Sequence, residues 1–284
     1  MVESRVTRVV LRLGAGATLA FIYLPLVVIA IYAFNENISQ TWPIEHYTTR
    51  WFGVAWRDES VRGALWTSVK AALGATAIAL VLGTLASMAV SRYRFFGRET
   101  ISFLVILPIA LPGIITGLAL QATILNVLTP LGISFSLWTI IIGHGTFCIV
   151  VIYNNAVARI RRLSGSLEEA SVDLGADAWQ TFRFVTFPQL RTALLAGGLL
   201  AFALSFDEVV VTIFTSGAQQ TLPIWIFTNF ARPRQLPIVN VVALFVVLAS
   251  IIPVWIALRV AGGSGLGTET PGKGAVAASL EAEP

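Results

Sequence analysis

The apolar residues of this chain lie in long continuous blocks that are separated by short polar segments. Six blocks have the roughly 20 residues that a helix needs to cross a bilayer. The sequence shows no alternation over about 10 residues of the kind that marks membrane-barrel strands. Because backbone groups in lipid must pair within their own segment, the blocks are predicted to be transmembrane helices. They are Val9–Phe34, Ala64–Val90, Ile101–Leu128, Phe135–Ala158, Ala193–Thr215 and Pro237–Val260.

Composition supports the same class. Hydrophobic residues make up 56% of the 284 residues and charged residues 12%, whereas soluble domains carry about 25% charged residues. Arginines precede the first block, as in a signal peptide. That block is nevertheless longer than a signal peptide's apolar region, and no small-residue cleavage site follows it. We expect an all-α membrane protein with six transmembrane helices, the first of them retained.

Positive charges are distributed unevenly among the predicted loops. Cytoplasmic loops carry an excess of Lys and Arg, and this excess falls on the side that holds both termini. That side has Arg5, Arg8, Arg12, Arg92, Arg94, Arg98, Arg159, Arg161, Arg162, Arg183, Arg191, Arg259 and Lys273, against Arg50, Arg57, Arg62, Arg232 and Arg234 on the other. We therefore expect both termini in the cytoplasm. The net charge of +4 reflects this topology and gives no support to nucleic-acid binding.

A polar loop, residues 159–192, separates the fourth and fifth blocks. Its Ser166-Leu-Glu-Glu169 fits a capping box, in which hydroxyl and carboxylate each bind a backbone N–H group. The helix is predicted to run to about Leu174 and to end at Gly175, which tolerates the left-handed conformation. Asp177-Ala-Trp-Gln180 fits a second capping box.

Apolar side chains on such a loop predict a docking surface. They belong to Ala170, Leu174, Trp179 and Phe182, with the small Ser171 beside them. The alternative is a capped helical loop without a partner.

The same segment resembles the loop that identifies permease subunits of bacterial ABC importers. In that family the pattern is Glu-Ala-Ala, three residues, Gly, nine residues and Ile-x-Leu-Pro. This chain has Glu169-Ala170-Ser171, then Gly175, then Val185-Thr-Phe-Pro188. Ser replaces the second Ala, Val replaces Ile and Phe replaces Leu. The resemblance extends from about Val61 to Arg259.

The resemblance implies the type I ABC importer permease fold in a bacterial inner membrane, and it makes this loop the coupling helix that docks on the ATP-binding subunit. The implied ATPase-coupling residues are Glu169, Ala170, Ser171, Leu174, Gly175, Trp179 and Pro188. The implied partners are an ATP-binding cassette ATPase dimer, a second homologous permease, an external solute-binding protein and membrane lipid. ATP would be bound by the ATPase subunits, so we expect no cofactor and no enzymatic activity in this chain.

Three regions are expected on this basis. Residues 1–60 form the first transmembrane helix and an outer loop, and residues 61–260 form a permease core of five transmembrane helices with the coupling loop 159–192. Residues 261–284 form a cytoplasmic tail, which lacks the apolar residues that folding needs and is predicted to be disordered. Within this tail, Gly267–Lys273 matches part of a phosphate-binding loop, but Gly274 stands where Ser or Thr should follow.

Two acidic residues, Asp207 and Glu208, lie in the middle of the fifth block. An acidic group at this depth is costly and usually faces a cavity or a partner. By their spacing of three and four, Ser205, Glu208, Thr212 and Thr215 share one helix face. We predict that they line a translocation path together with Asp207, and that the carboxylates favour cationic cargo. The alternative is that these residues hold the span against a neighbouring helix or an Arg of the partner permease.

Within the family, the chain looks most like the second permease of spermidine/putrescine importers. The matching stretches are Ser91-Arg-Tyr-Arg-Phe-Phe-Gly97, Glu169 to Gly175 and Ser205-Phe-Asp-Glu-Val-Val-Val211. The implied cargo is a polyamine. Related permeases carry 2-aminoethylphosphonate, thiamine or ferric ion, which stay open as alternatives. An ion-coupled secondary transporter would also suit the acidic residues, although the sequence shows no inverted repeats with broken helices.

The remaining chemistry-bearing residues give little indication of a site. Cys148 is the single cysteine, so no disulfide can form within the chain. His46 and His144 have no second His or Cys at the spacing of metal ligands. We interpret both histidines as structural.

Overall fold

The computed structural model describes residues 5–262. Within this range the regular structure is helical, apart from one isolated antiparallel bridge between Asn35 and Tyr47. The predicted tail beyond residue 262, including Gly267–Lys273, lies outside the described residues. Six helical stretches are long and apolar enough to cross a membrane: Val6–Tyr32, Glu59–Arg92, Gly113–Leu131, Leu137–Ile160, Ala178–Phe206 and Pro233–Ile252.

Twelve α-helices follow one another along the described chain. They are α1 Arg5–Tyr32, α2 Arg50–Arg57, α3 Glu59–Arg92, α4 Arg98–Ala110, α5 Gly113–Thr123, α6 Leu137–Ile160, α7 Ser166–Asp173, α8 Ala178–Thr181, α9 Phe187–Phe206, α10 Val210–Thr215, α11 Leu222–Phe230 and α12 Leu236–Gly262. Two π-helical turns, Ile124–Leu128 and Phe182–Thr186, extend α5 and precede α9. The bundle therefore contains both long spans and short half-length segments.

The third predicted span is not one helix. The expected Ile101–Leu128 is divided into α4 and α5 by Leu111 and Pro112, which have extended backbone ψ angles of 144° and 130°. Proline disfavours the helical conformation of the residue before it, so the chain leaves the helix at Leu111. Only the second part, continued by its π-helical turn, is long enough to span a membrane.

The core is built where α3, α6 and α9 meet. Every fourth residue on one face of α3 is small and buried, namely Ala71, Ala75, Ala79 and Gly83. Small residues allow two membrane helices to approach closely. At Gly83 the approach to α6 is so close that an added Cβ would lie 2.9 Å from the Cβ of Ile152. Of the six spans, α6 is the most buried, so it forms the centre of the bundle.

Two of the predicted outer loops, residues 35–62 and 216–236, fold together at one end of the bundle. Each contains a short helix, α2 in the first and α11 in the second. The buried indole of Trp225 on α11 donates to the hydroxyl of Ser60, 2.8 Å away, and the backbone N–H of Leu222 donates to Ser68 at the same distance. The indole of Trp51 on α2 donates to the carbonyl of Asn35, 3.0 Å away. These bonds give that end of the protein a defined surface.

Helix α1 lies at the edge of the bundle and packs against α12. None of its membrane-spanning window is buried within the described chain. Its apolar side chains therefore face whatever surrounds the bundle.

Candidate functional site: a broken membrane helix and a charged loop

The fifth span is interrupted at its two acidic residues. Helix α9 ends at Phe206 and α10 begins at Val210. Asp207 leaves the helical region, with φ −93° and ψ 1°, a conformation that is sparsely populated. The prediction of one continuous helix over Ala193–Thr215 is therefore wrong. The physical reason lies in polar groups that bind the chain at the break, since neither proline nor glycine occurs there.

Glu208 begins the second half of the broken span. Its carboxylate Oε1 accepts a hydrogen bond of 2.9 Å from the backbone N–H of Val211, in the manner of a helix cap. Its backbone carbonyl accepts one of 2.6 Å from the hydroxyl of Thr212. The side chain of Glu208 is half-buried. One oxygen of its carboxylate is thus committed to the start of α10.

His144 on α6 joins the two sides of the break. Its Nδ1 lies 2.8 Å from the hydroxyl of Ser205, in the last turn of α9, and its Nε2 lies 2.8 Å from the hydroxyl of Thr212 on α10. All three side chains are buried. Ser205 and Thr212 therefore point toward α6 and are buried in this structure, as in the packing alternative. That they line a translocation path stays a prediction.

Asp207 differs from its neighbours at the break because its side chain is exposed. No salt bridge between residues in the described range includes Asp207 or Glu208. Asp207 thus presents a carboxylate at the surface of the bundle, directly after the helical stretch Ala178–Phe206. Among the described residues, no group of three or more His, Cys, Asp or Glu side chains could hold a metal ion.

The charged loop between α6 and α9 contains the short helices α7 and α8. Helix α7 begins at Ser166, and Gly165 before it provides no side-chain cap. The predicted capping box at Ser166–Glu169 is therefore wrong, because the Ser166 hydroxyl instead pairs with that of Ser164, 2.6 Å away. Gly175 ends the segment with φ +84°, as predicted.

The second predicted capping box is confirmed. The Asp177 carboxylate accepts from the backbone N–H of Gln180 at 2.8 Å, and the Gln180 side chain accepts from the backbone N–H of Asp177 at 2.9 Å. Pro188 lies at the second position of α9, within the first turn, as predicted. The preceding π-helical turn makes Ala178–Phe206 one helical run, which starts well before the predicted Ala193.

Glu168 ties this loop to two membrane spans, and the sequence did not single it out. Its Oε1 lies 3.0 Å from Nη2 of Arg92 at the end of α3, and it accepts a 2.9 Å hydrogen bond from the hydroxyl of Thr186 just before α9. Nothing in the local pattern distinguishes Glu168 from the adjacent Glu169, because its partner Arg92 lies 76 residues earlier.

The outer face of the loop carries exposed apolar side chains. Leu174 is 90% exposed and Trp179 is 64% exposed. Glu169, Ala170, Gly175 and Pro188 are also exposed, whereas Ser171 is half-buried and pairs with the hydroxyl of Thr181, 3.0 Å away. Most of the residues predicted for ATPase coupling thus lie on the surface. Apolar exposure of this kind is typical of an interaction site.

Comparisons with known proteins give the chain its family. Residues 78–262 match the family described as binding-protein-dependent transport system inner membrane component. The putrescine transport system permease protein PotI of Escherichia coli (strain K12) is 34% identical over 214 residues, which cover 74% of this chain and 75% of PotI. The spermidine/putrescine transport system permease protein PotC of the same strain is 28% identical over 240 residues, covering 84% of this chain and 88% of PotC.

A solved structure shares the fold. It is a chain from the crystal structure of a bacterial ABC transporter involved in the import of the acidic polysaccharide alginate. The TM-score is 0.63 at 19% sequence identity, and the match covers 93% of this chain and 99% of that one. With the six apolar helices, this likeness confirms the prediction of an ABC importer permease fold. The chain is a multi-pass membrane protein and belongs to the family of binding-protein-dependent transport system inner membrane components.

Proposed function

We propose that this chain is a permease subunit of an ATP-driven ABC importer whose cargo is a polyamine such as putrescine or spermidine. The observation that carries the proposal is the similarity to PotI and PotC, which are named as polyamine permeases and match most of this chain. The exposed carboxylate of Asp207 in the break between α9 and α10 gives this cargo class a physical basis, because a polyamine carries several ammonium groups, which only donate hydrogen bonds.

Asp207 is the central residue of the proposed path. Its carboxylate is exposed and has no salt-bridge partner among the described residues, so it is available to a passing cation. Glu208 lies beside it, and its charge adds to the field that attracts ammonium groups even while its oxygen caps α10. Ser205 and Thr212 support the path indirectly. Both hydroxyls contact His144 on α6, and these contacts fix the end of α9 and the start of α10 on either side of the break.

The charged loop is the proposed contact with the ATPase dimer. Its coupling residues are Glu169, Ala170, Ser171, Leu174, Gly175, Trp179 and Pro188, most of them on the exposed face of the loop. Glu168 links this face to the end of α3 and to the segment before α9. A displacement of α7 during ATP binding would therefore be passed directly to two spans. Docking of the ATPase can shift the permease between two conformations only if the ATPase binds the loop with a different affinity in each.

The remaining partners follow from the same arrangement. Both termini and the charged loop would face the cytoplasm, as the arginine distribution predicts. The end formed by α2 and α11 would meet the external solute-binding protein. The exposed length of α1 would be covered by lipid or by the second permease. ATP would bind to the ATPase subunits, leaving this chain without a cofactor.

Reconstitution would test the proposal. The chain, the second permease, the ATPase and the solute-binding protein would be purified as a complex and placed in proteoliposomes. We expect saturable uptake of radiolabelled putrescine or spermidine that requires ATP and the binding protein. Vesicles with a hydrolysis-deficient ATPase provide the control. Uptake of 2-aminoethylphosphonate, thiamine or ferric ion in place of polyamines would refute the cargo, and ATP-independent uptake driven by an ion gradient would refute the importer class.

A further inference from the structure

Helix α6 is bonded to the broken fifth span on both sides of the break. Cys148 donates a weak hydrogen bond of 3.4 Å to the carbonyl of Ala201 on α9, and Thr139 donates one of 2.8 Å to the carbonyl of Thr215 at the end of α10. Between them, His144 contacts both segments. Of these three α6 side chains, His144 is the one that contacts residues on both sides of the interruption.

The hydrogen bonds around His144 form a chain with one direction. The Thr212 hydroxyl donates to the carbonyl of Glu208 at 2.6 Å, so its oxygen is free to accept from His144. This assigns the proton of a neutral imidazole to Nε2 and leaves Nδ1 to accept from the Ser205 hydroxyl. The chain therefore runs from Ser205 through the imidazole and Thr212 to the backbone of Glu208.

Such a chain of hydrogen bonds can stabilise an interruption in a membrane helix. A break frees backbone groups, and lipid offers them no hydrogen-bond partner, so an interrupted span needs partners from neighbouring helices to keep a fixed geometry. Here the carbonyl of Glu208 is bonded within the buried network and both helix ends are held by one rigid ring. Removing the imidazole ring would deprive the buried hydroxyls of Ser205 and Thr212 of one hydrogen-bond partner each. The loss of a hydrogen bond to a buried polar group destabilises a protein.

We propose that His144 is a positioning residue that holds the break in the fifth span and thereby places Asp207 for cation passage. The inference rests on the proposed function for the role of Asp207, but the position of the break can be tested without any cargo. Imidazole suits the task because its two nitrogens reach partners on opposite sides of the ring, which no other neutral side chain can do as rigidly.

Thiol labelling within the break tests the inference. Val209→Cys is introduced with Cys148→Ala, so that the new thiol is the only cysteine in the chain. In the assembled importer, the labelling rate by a cationic methanethiosulfonate reagent is compared with and without His144→Leu. We expect a rise of about fivefold or more, because Val209 is half-buried and local opening exposes it.

Thr139→Val is the matched control, since it removes a hydrogen bond between α6 and α10, together with the capping bond to Ser136 at the start of α6, but leaves the break untouched. We expect its labelling rate to stay within about twofold of the parent. A His144→Leu rate within that range, or an equal rise in Thr139→Val, would overturn the inference. Should His144→Leu fail to assemble with the ATPase, Ser205→Ala combined with Thr212→Val removes the same two contacts and is expected to give the same rise.

Transport provides the second measurement. His144→Leu should raise the KM for putrescine uptake by about tenfold, while ATP hydrolysis stimulated by the binding protein stays within about twofold of the parent. Equal loss of both activities would indicate a general folding defect and contradict a positioning role. If the parent importer takes up no polyamine, the proposed cargo fails, and the labelling result still decides the role of His144.

Discussion

Glu168 Oε1 lies 3.0 Å from Nη2 of Arg92, and the two residues are 76 positions apart in the sequence. Both side chains are 23% exposed, so the pair by itself contributes about 1 kcal/mol or less to stability. Its importance is geometric, because Glu168 also accepts a hydrogen bond from Thr186. One carboxylate thus connects α7 to the end of α3 and to the start of α9.

Glu168→Gln should weaken coupling more than assembly. The amide can still accept from Thr186 but has no charge for Arg92, so movement of α7 would reach α3 less directly. We expect ATP-driven uptake to fall about fivefold while the ATPase still co-purifies. Glu99→Gln, an exposed acid at the start of α4, is the control and should change neither. The charge swap of Glu168→Arg with Arg92→Glu should recover part of the uptake, and no recovery would count against the ion pair.

Leu174→Asp should abolish docking of the ATPase. Leu174 is 90% exposed, so the change costs the free chain little, but it places a charge in the proposed apolar contact. Loss of such an anchor typically costs about 2 kcal/mol or more, or over tenfold in affinity. Co-purification of the ATPase measures the effect. Ile133→Asp, at a position 47% exposed in the turn between the spans Gly113–Leu131 and Leu137–Ile160, is the control and should leave the ATPase bound.

Asp207→Asn should impair cation transport more than Glu208→Gln does. Asp207 is exposed and has no salt-bridge partner among the described residues, whereas Glu208 is partly committed to capping α10. Neutralising Asp207, the carboxylate with fewer contacts, should raise the KM for putrescine about tenfold. Glu59→Gln, an exposed acid at the start of α3, controls for general charge effects. If Glu208→Gln had the larger effect on KM, the central role of Asp207 would be refuted.

Gly83→Ala should destabilise the bundle. An added Cβ would lie 2.9 Å from the Cβ of Ile152 and 3.0 Å from the carbonyl oxygen of Ile149. Because a backbone atom cannot move aside as a side chain does, α3 and α6 would separate slightly, at a cost of about 1–3 kcal/mol. Thermal unfolding in detergent measures the change. Gly63→Ala, on the same helix with open space around it, should leave the unfolding temperature unchanged or slightly raised.

Local patterns predicted the elements of this protein well. The six apolar blocks correspond to six spans because burial in lipid depends on the hydrophobicity and length of each segment alone. Asp177 with Gln180, and the left-handed Gly175, were predictable because capping involves residues a few positions apart. The break at Pro112 also has a local cause, the proline itself, although one helix was predicted there.

Long-range contacts decided the rest. The break at Asp207 has no proline or glycine to mark it, and its supporting ring, His144, lies 61 and 68 positions from Ser205 and Thr212. Glu168 and Glu169 look alike in the sequence, yet only the fold brings Arg92 to the first of them. The sequence by itself therefore determined which segments enter the membrane and which loop projects from it. The tertiary structure determined which polar groups are buried together and which carboxylate stays exposed, because pairing across helices depends on packing that no local pattern contains.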